Sequence, residues 1–167
     1  MCKRIYKNET STFGDIPFYK IGTFGGQPDA FISQNLYEEY KNKYSYPKKG
    51  SILISAAGTI GKTIVFDGQP AYFQDSNIVW IDNDETKVLN LYLQKFFETT
   101  KWEHSQGATI PRLYNDDLRN KQIPVPSLSV QQEMVAEIES YEAKIAECQQ
   151  IMSQASDKKK AILEKYL

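Results

Sequence analysis

Two cysteines and one histidine in 167 residues leave little material for a disulfide framework, a metal centre or a nucleophile paired with a base. Cys2 and Cys148 are too far apart for ligand or redox spacing, which fits a reducing cytoplasm. His104 is the sole histidine, and no serine or cysteine stands in a nucleophile elbow. No zinc-ligand spacing occurs either. These absences predict a protein without catalytic residues, metal or cofactor. No stretch approaches the roughly 18 apolar residues of a membrane span. Lys3, Arg4 and Lys7 stand near the start without the apolar run of a signal peptide. A soluble protein is expected. An excess of one charge is missing too, with 20 basic against 21 acidic residues overall and 15 against 14 in residues 1–129. A nucleic-acid surface would therefore have to be a local patch rather than a global field.

What the chain does have is a β-rich body. Ile16–Ile21, Ser51–Ser55, Thr63–Phe66 and Ser76–Ile81 are short, β-branched or aromatic, and bounded by turn residues, so they read as strands. Asp67-Gly68 predicts a hairpin between Ile64–Phe66 and Ala71–Phe73. Two helices are expected within this body. Ser33 or Asn35 would cap one running through Tyr44, and Asp84 would cap another carrying Val88, Leu91, Tyr92 and Phe96. Asn115 would cap a further turn. Asp116-Asp117 and Asp82/Asp84 read as caps and turn formers rather than acid/base pairs.

Pro124 and Pro126 cannot lie inside a helix and so separate this body, residues 1–127, from a tail of residues 128–167. Ser129 with Gln132 has the pattern of a capping box at the start of the tail. Within it Met134, Ile138, Tyr141, Ile145, Cys148, Met152, Ala155, Lys159, Ile162 and Tyr166 alternate at intervals of four and three. Lys159 alone breaks the apolar seam. A 3.5-residue spacing keeps one narrow stripe facing a partner helix, whereas a helix lying on a globular core shows a wider stripe. At 1.5 Å per residue the tail would extend about 55 Å. The predicted class is α+β, a β-rich domain followed by one long coiled-coil helix.

Ala56–Thr63 ends in Gly-Lys-Thr after a strand and invites a phosphate-loop reading, but Ala56 stands where the first glycine belongs. A strand follows where a helix N-terminus is needed. Two readings of this loop remain, a turn presenting Thr59 and Lys62 to a partner and a purely structural turn with a solvated lysine. Three polar loops carry residue types that read base edges and phosphates. They supply Lys20 and Thr23, then Gln74, Ser76 and Asn77, then Gln106, Thr109 and Arg112. With Lys62 these are the candidate DNA contacts.

The order of segments adds a resemblance. Gly14–Gly22, Pro47–Ser55 and Gly58–Lys62, then Gln106–Leu113, Ile123-Pro124-Val125-Pro126 and Gln131-Gln132 before a long helix, resemble the target-recognition domain and spacer helix of type I restriction-modification specificity subunits. Each motif is weak by itself, and the ordered set spans nearly the whole chain. The resemblance implies a non-catalytic subunit in the cytoplasm of a bacterium or archaeon. It would choose double-stranded DNA sequences for a methyltransferase subunit and, in the full complex, a restriction subunit. Family members carry two recognition domains and two antiparallel spacer helices, and this chain has one of each. It also starts later than the family pattern. It is thus expected to be a half-subunit or a fragment, reading one half of a bipartite site. Met134, Ile138, Tyr141, Ile145, Cys148, Met152 and Ile162 would pair with a second copy, a missing second half or a methyltransferase helix. The alternative is an interaction module that binds a partner through this helix without touching DNA.

Overall fold

A computed structural model describes residues 1–102 and 112–166. The chain divides into two compact units, Met1–Val125 and Pro126–Leu167.

The first unit holds two three-stranded sheets. In one, β1 (Ile16–Tyr19) lies between β2 (Phe31–Ile32), antiparallel to it, and β5 (Tyr72–Phe73), parallel to it. In the other, β3 (Ile52–Ser55) lies between β4 (Thr63–Val65) and β6 (Ile78–Ile81), antiparallel to both. All four residues of β3 are buried. Side chains alternate across a strand, so Ile52 and Ile54 enter one cluster with Leu93, Phe97 and Leu113, while Leu53 enters the other with Phe18, Phe66, Tyr72 and Phe73. A short unbroken apolar run is the pattern expected of a strand covered on both faces. Helix α2 (Asn90–Thr99) packs on β3 and β4.

Helix α1 (Gln34–Lys43) begins as expected, with Ser33 Oγ accepting from the Leu36 amide at 3.3 Å. The other expected caps are displaced. Asp84 does not start α2. Its carboxylate accepts from the Thr86 amide and hydroxyl, closing a turn whose hydrogen bonds lower the acid's pKa, and the helix starts six residues later. Helix α3 (Asn115–Arg119) is capped at Tyr114, whose amide donates to Asp117 Oδ2 at 2.7 Å, so Asn115 is its first residue. Asp82 Oδ1 accepts from Ser51 Oγ. The acids named in the sequence thus serve the backbone and its turns.

The hairpin across Asp67-Gly68 does not form. The turn exists, with Gly68 at φ +86° and Asp67 accepting from the Gln69 amide, but the strands beside it join different sheets. Aromatic packing explains the switch. Tyr72 and Phe73 are sunk among Phe18, Tyr40, Tyr46 and Phe66, and the Phe66 and Phe73 rings meet edge to face at 5.5 Å. That arrangement rewards pairing with β1, and Pro70 brings no N–H to continue a hairpin ladder.

The second unit is one helix, α4 (Leu128–Tyr166), 39 residues long. Its cap is Ser127 rather than Ser129, because the helix already includes Ser129. Ser127 Oγ accepts from the Val130 amide, and Gln131 Nε2 donates to the Pro126 carbonyl at 2.8 Å. Gln131 and Val135 are buried. Ile138 is half-buried, and Met134, Tyr141, Ile145, Cys148, Met152 and Ile162 are exposed. Among the described residues no helix is long and apolar enough to cross a membrane.

Candidate nucleic-acid interface

The segment between β5 and β6 is anchored at both ends by backbone bonds. The Gln74 amide donates to the Tyr19 carbonyl, its side-chain Oε1 accepts from the Ile21 amide at 2.8 Å, and the Asn77 carbonyl accepts from the Ala56 amide at 2.7 Å. Between these anchors Ser76 takes a left-handed conformation, φ +60°, uncommon for a residue with a side chain. Such strain persists where the surroundings fix the backbone, and it turns Asp75, Ser76 and Asn77 into a cleft of about 660 Å³.

Three other parts of the chain meet there. Lys20 follows β1, where Thr23 Oγ1 accepts from its amide. Arg112 is delivered by an antiparallel bridge to Ala57, backed by the Leu113 amide on the Ala56 carbonyl. Arg4 and Lys7 come from the N-terminal segment. Four basic and two acidic side chains line the cleft. Lys20 Nζ lies 2.8 Å from both carboxylate oxygens of Asp29, Arg4 Nε donates to Asp75 at 2.9 Å, and Arg112 Nη2 donates to Asn77 Oδ1 at 3.0 Å. Three of the four cations, Lys20, Arg4 and Arg112, thus have a side-chain partner within the chain. Exposed pairs of this kind contribute about 0–1 kcal/mol each, so their role is to orient rather than to stabilise.

Of the residues expected from sequence, Lys20, Gln74, Ser76, Asn77 and Arg112 line this cleft. Thr23 shapes the turn beneath Lys20, and Gln74 spends its side-chain oxygen on the backbone. Lys62 is not among the lining residues. Its ammonium donates to the Phe24 carbonyl at 2.6 Å, and Gly25 leaves room for it, since a Cβ there would stand 2.8 Å from Lys62 Cε. Gln106, Thr109 and His104 lie outside the described residues. Sequence reasoning did not place Arg4, Lys7 or Asp29 here, and it gave Asp75, which lies in the Gln74–Asn77 loop, no role. Arg4 and Asp75 are 71 residues apart, and no spacing rule links them.

The Gly-Lys-Thr loop is a turn between antiparallel strands. Gly58 and Gly61 take φ +67° and +84°, and Ser55 Oγ receives the Lys62 amide at 2.9 Å. A Cβ at Gly61 would collide with the Trp102 indole. No helix N-terminus follows the loop, so phosphate-loop geometry is absent here. Among the described residues no group of three His, Cys, Asp or Glu side chains is placed to hold a metal ion.

Chemically, the cleft offers planar guanidinium forks, two ammonium groups, amides and hydroxyls, the donors that contact phosphates and base edges. Comparison with known proteins gives that chemistry a family. Residues 1–155 match the model of the type I restriction modification DNA specificity domain. The chain belongs to this family. A Haemophilus influenzae protein named as a putative type I restriction enzyme specificity subunit is 62% identical over 142 residues, which is 85% of this chain and 37% of that protein. A chain solved in work on complex assembly and conformational transition of the type I R-M system shares the fold. It superposes with a TM-score of 0.70 at 19% identity, over 93% of this chain and 38% of that one. The specificity-domain chain therefore spans well under half the length of these relatives. Its α+β architecture, a β-rich unit followed by a long helix, agrees with the sequence expectation and with the fold of the solved relative.

Proposed function

We propose that this chain is the DNA sequence-specificity component of a type I restriction-modification complex, reading one half of a bipartite duplex site. The family match carries this reading, and the cleft at Gln74–Asn77 supplies chemistry for it. The component is non-catalytic and chooses the sequence on which methyltransferase and restriction subunits act. Residues 1–127 form the recognition domain, and residues 128–167 form the spacer helix. Lys20 and Arg112 meet the DNA, together with Ser76 and Asn77 of the same cleft. The exposed seam from Met134 to Ile162 suits pairing with the helix of a second copy. Two identical halves would then face an inverted repeat, with the helices setting the half-site separation.

Duplex binding by the chain at several salt concentrations tests the interface. Replacing Lys20 and Arg112 together by alanine is expected to lower affinity at least tenfold. It should also reduce the slope of log affinity against log salt by about one for each phosphate that is no longer neutralised. Unchanged affinity and slope would rule out this cleft.

A further inference from the structure

The two arginines of the cleft are clamped by residues on either side of Ser76, and the clamps differ. Arg4 donates through Nε alone to Asp75 Oδ2. The Asp75 side chain is only 16% exposed while that of Arg4 is 59% exposed, so the carboxylate forms the inner anchor and the guanidinium the outer tip. No protein group among the described residues takes Arg4 Nη1 or Nη2. Arg112 instead donates through Nη2, one of the two nitrogens of its outer fork, to Asn77 Oδ1. Lys20, held between both oxygens of Asp29, has a point charge and no fork at all.

A guanidinium fork with two parallel donors matches the O6 and N7 acceptors of guanine in the major groove, a match that an ammonium cannot reproduce. Fixing Nε from behind orients the fork without occupying it. We propose that Arg4 is a specificity-determining residue that reads one guanine of the target through Nη1 and Nη2, with Asp75 as its positioning residue. Arg112 and Lys20 then serve phosphates or other base edges. The inference rests on the proposed DNA-specificity function and deepens it.

Selection of duplexes from a randomised pool by the chain, followed by sequencing, tests it. The wild-type chain is expected to enrich a motif containing a guanine. Arg4→Lys keeps the charge on an exposed side chain and removes the fork. The guanine preference at one position should fall about tenfold while the rest of the motif persists. Asp75→Asn keeps the shape of the anchor and removes its charge, so the same position should weaken, whereas Arg112→Lys should leave it intact. A wild-type motif retained in full by Arg4→Lys overturns the assignment and leaves the DNA-specificity reading standing. Equal loss of all duplexes also overturns it, because that marks a phosphate contact. Failure of the wild-type chain to enrich any sequence overturns both.

Discussion

The two units spend the same apolar residue types in opposite ways. In Met1–Val125, Ile52, Leu53 and Ile54 are completely withdrawn from water, and Tyr72, Phe73 and Phe97 nearly so. In α4, Ile145 is 56% and Met152 72% exposed, with Tyr141, Ile162 and Tyr166 exposed beside them. The first unit completes its core from within one chain. The helix carries a stripe that a single chain leaves wet, and each larger residue on it would gain on the order of 1.5–3 kcal/mol if buried fully. Stability is therefore expected to reside in the first unit and association in the second.

The sharpest way to break this contrast is to delete one large side chain from each unit. Phe97 stacks on Trp102 with ring centres 5.5 Å apart and is 2% exposed. Phe97→Ala should cost about 3–5 kcal/mol in urea unfolding, as large cavities in cores do. Ile145→Ala, measured in dilute solution where chains are apart, should change the same transition by no more than about 0.5 kcal/mol. Comparable losses from both would mean that α4 contributes to the folded unit as a core element does.

A charge on the seam separates association from folding. Ile145→Asp is expected to leave unfolding of the first unit unchanged and to weaken self-association about tenfold or more in sedimentation experiments. An unpaired carboxylate buried between helices costs at least about 1–3 kcal/mol. If wild-type and variant sediment alike across the micromolar range, the seam does not hold two copies together.

This contrast also marks how far the sequence could be read. Periodicity revealed the long helix, and β-branched runs bounded by turn residues revealed strands such as Ile52–Ser55, because both are local signals. Parts that depend on distant partners were less visible. Tyr72-Phe73 looked like the second arm of a hairpin, yet it pairs with a strand more than fifty residues earlier, because aromatic packing outweighs a turn signal. Lys62, named as a reader from its loop, is exposed but lies outside the cleft lining, and the path of Phe24-Gly25 supplies a carbonyl for its ammonium. Lys20, Ser76, Asn77 and Arg112, nominated as DNA contacts from residue type alone, are brought into one cleft. The carboxylates and the amide that orient Lys20, Arg4 and Arg112 emerged only when four chain segments met in one cleft.

The smallest effect concerns the two thiols, one in each unit. Cys2 is 4% exposed, and burial pushes its thiol from the ordinary 9.0 up to about 12. Cys148 stands exposed on α4. Because the thiolate is the reactive form, maleimide at pH 8 should add once per native chain, at Cys148, and twice in urea, as read by mass spectrometry. The raised value also sets a direction with pH. The unfolded chain releases the Cys2 proton near pH 9 while the folded chain keeps it, so this group's contribution to stability is complete below pH 9 and is lost progressively as pH rises towards 12. Two adducts forming at equal rates in the native protein would contradict the burial of Cys2. Raising the protein concentration sharpens the comparison further. If the seam pairs, labelling of Cys148 should slow as chains associate while Cys2 stays unreactive throughout. A Cys148 rate independent of concentration would place that residue outside any interface between copies.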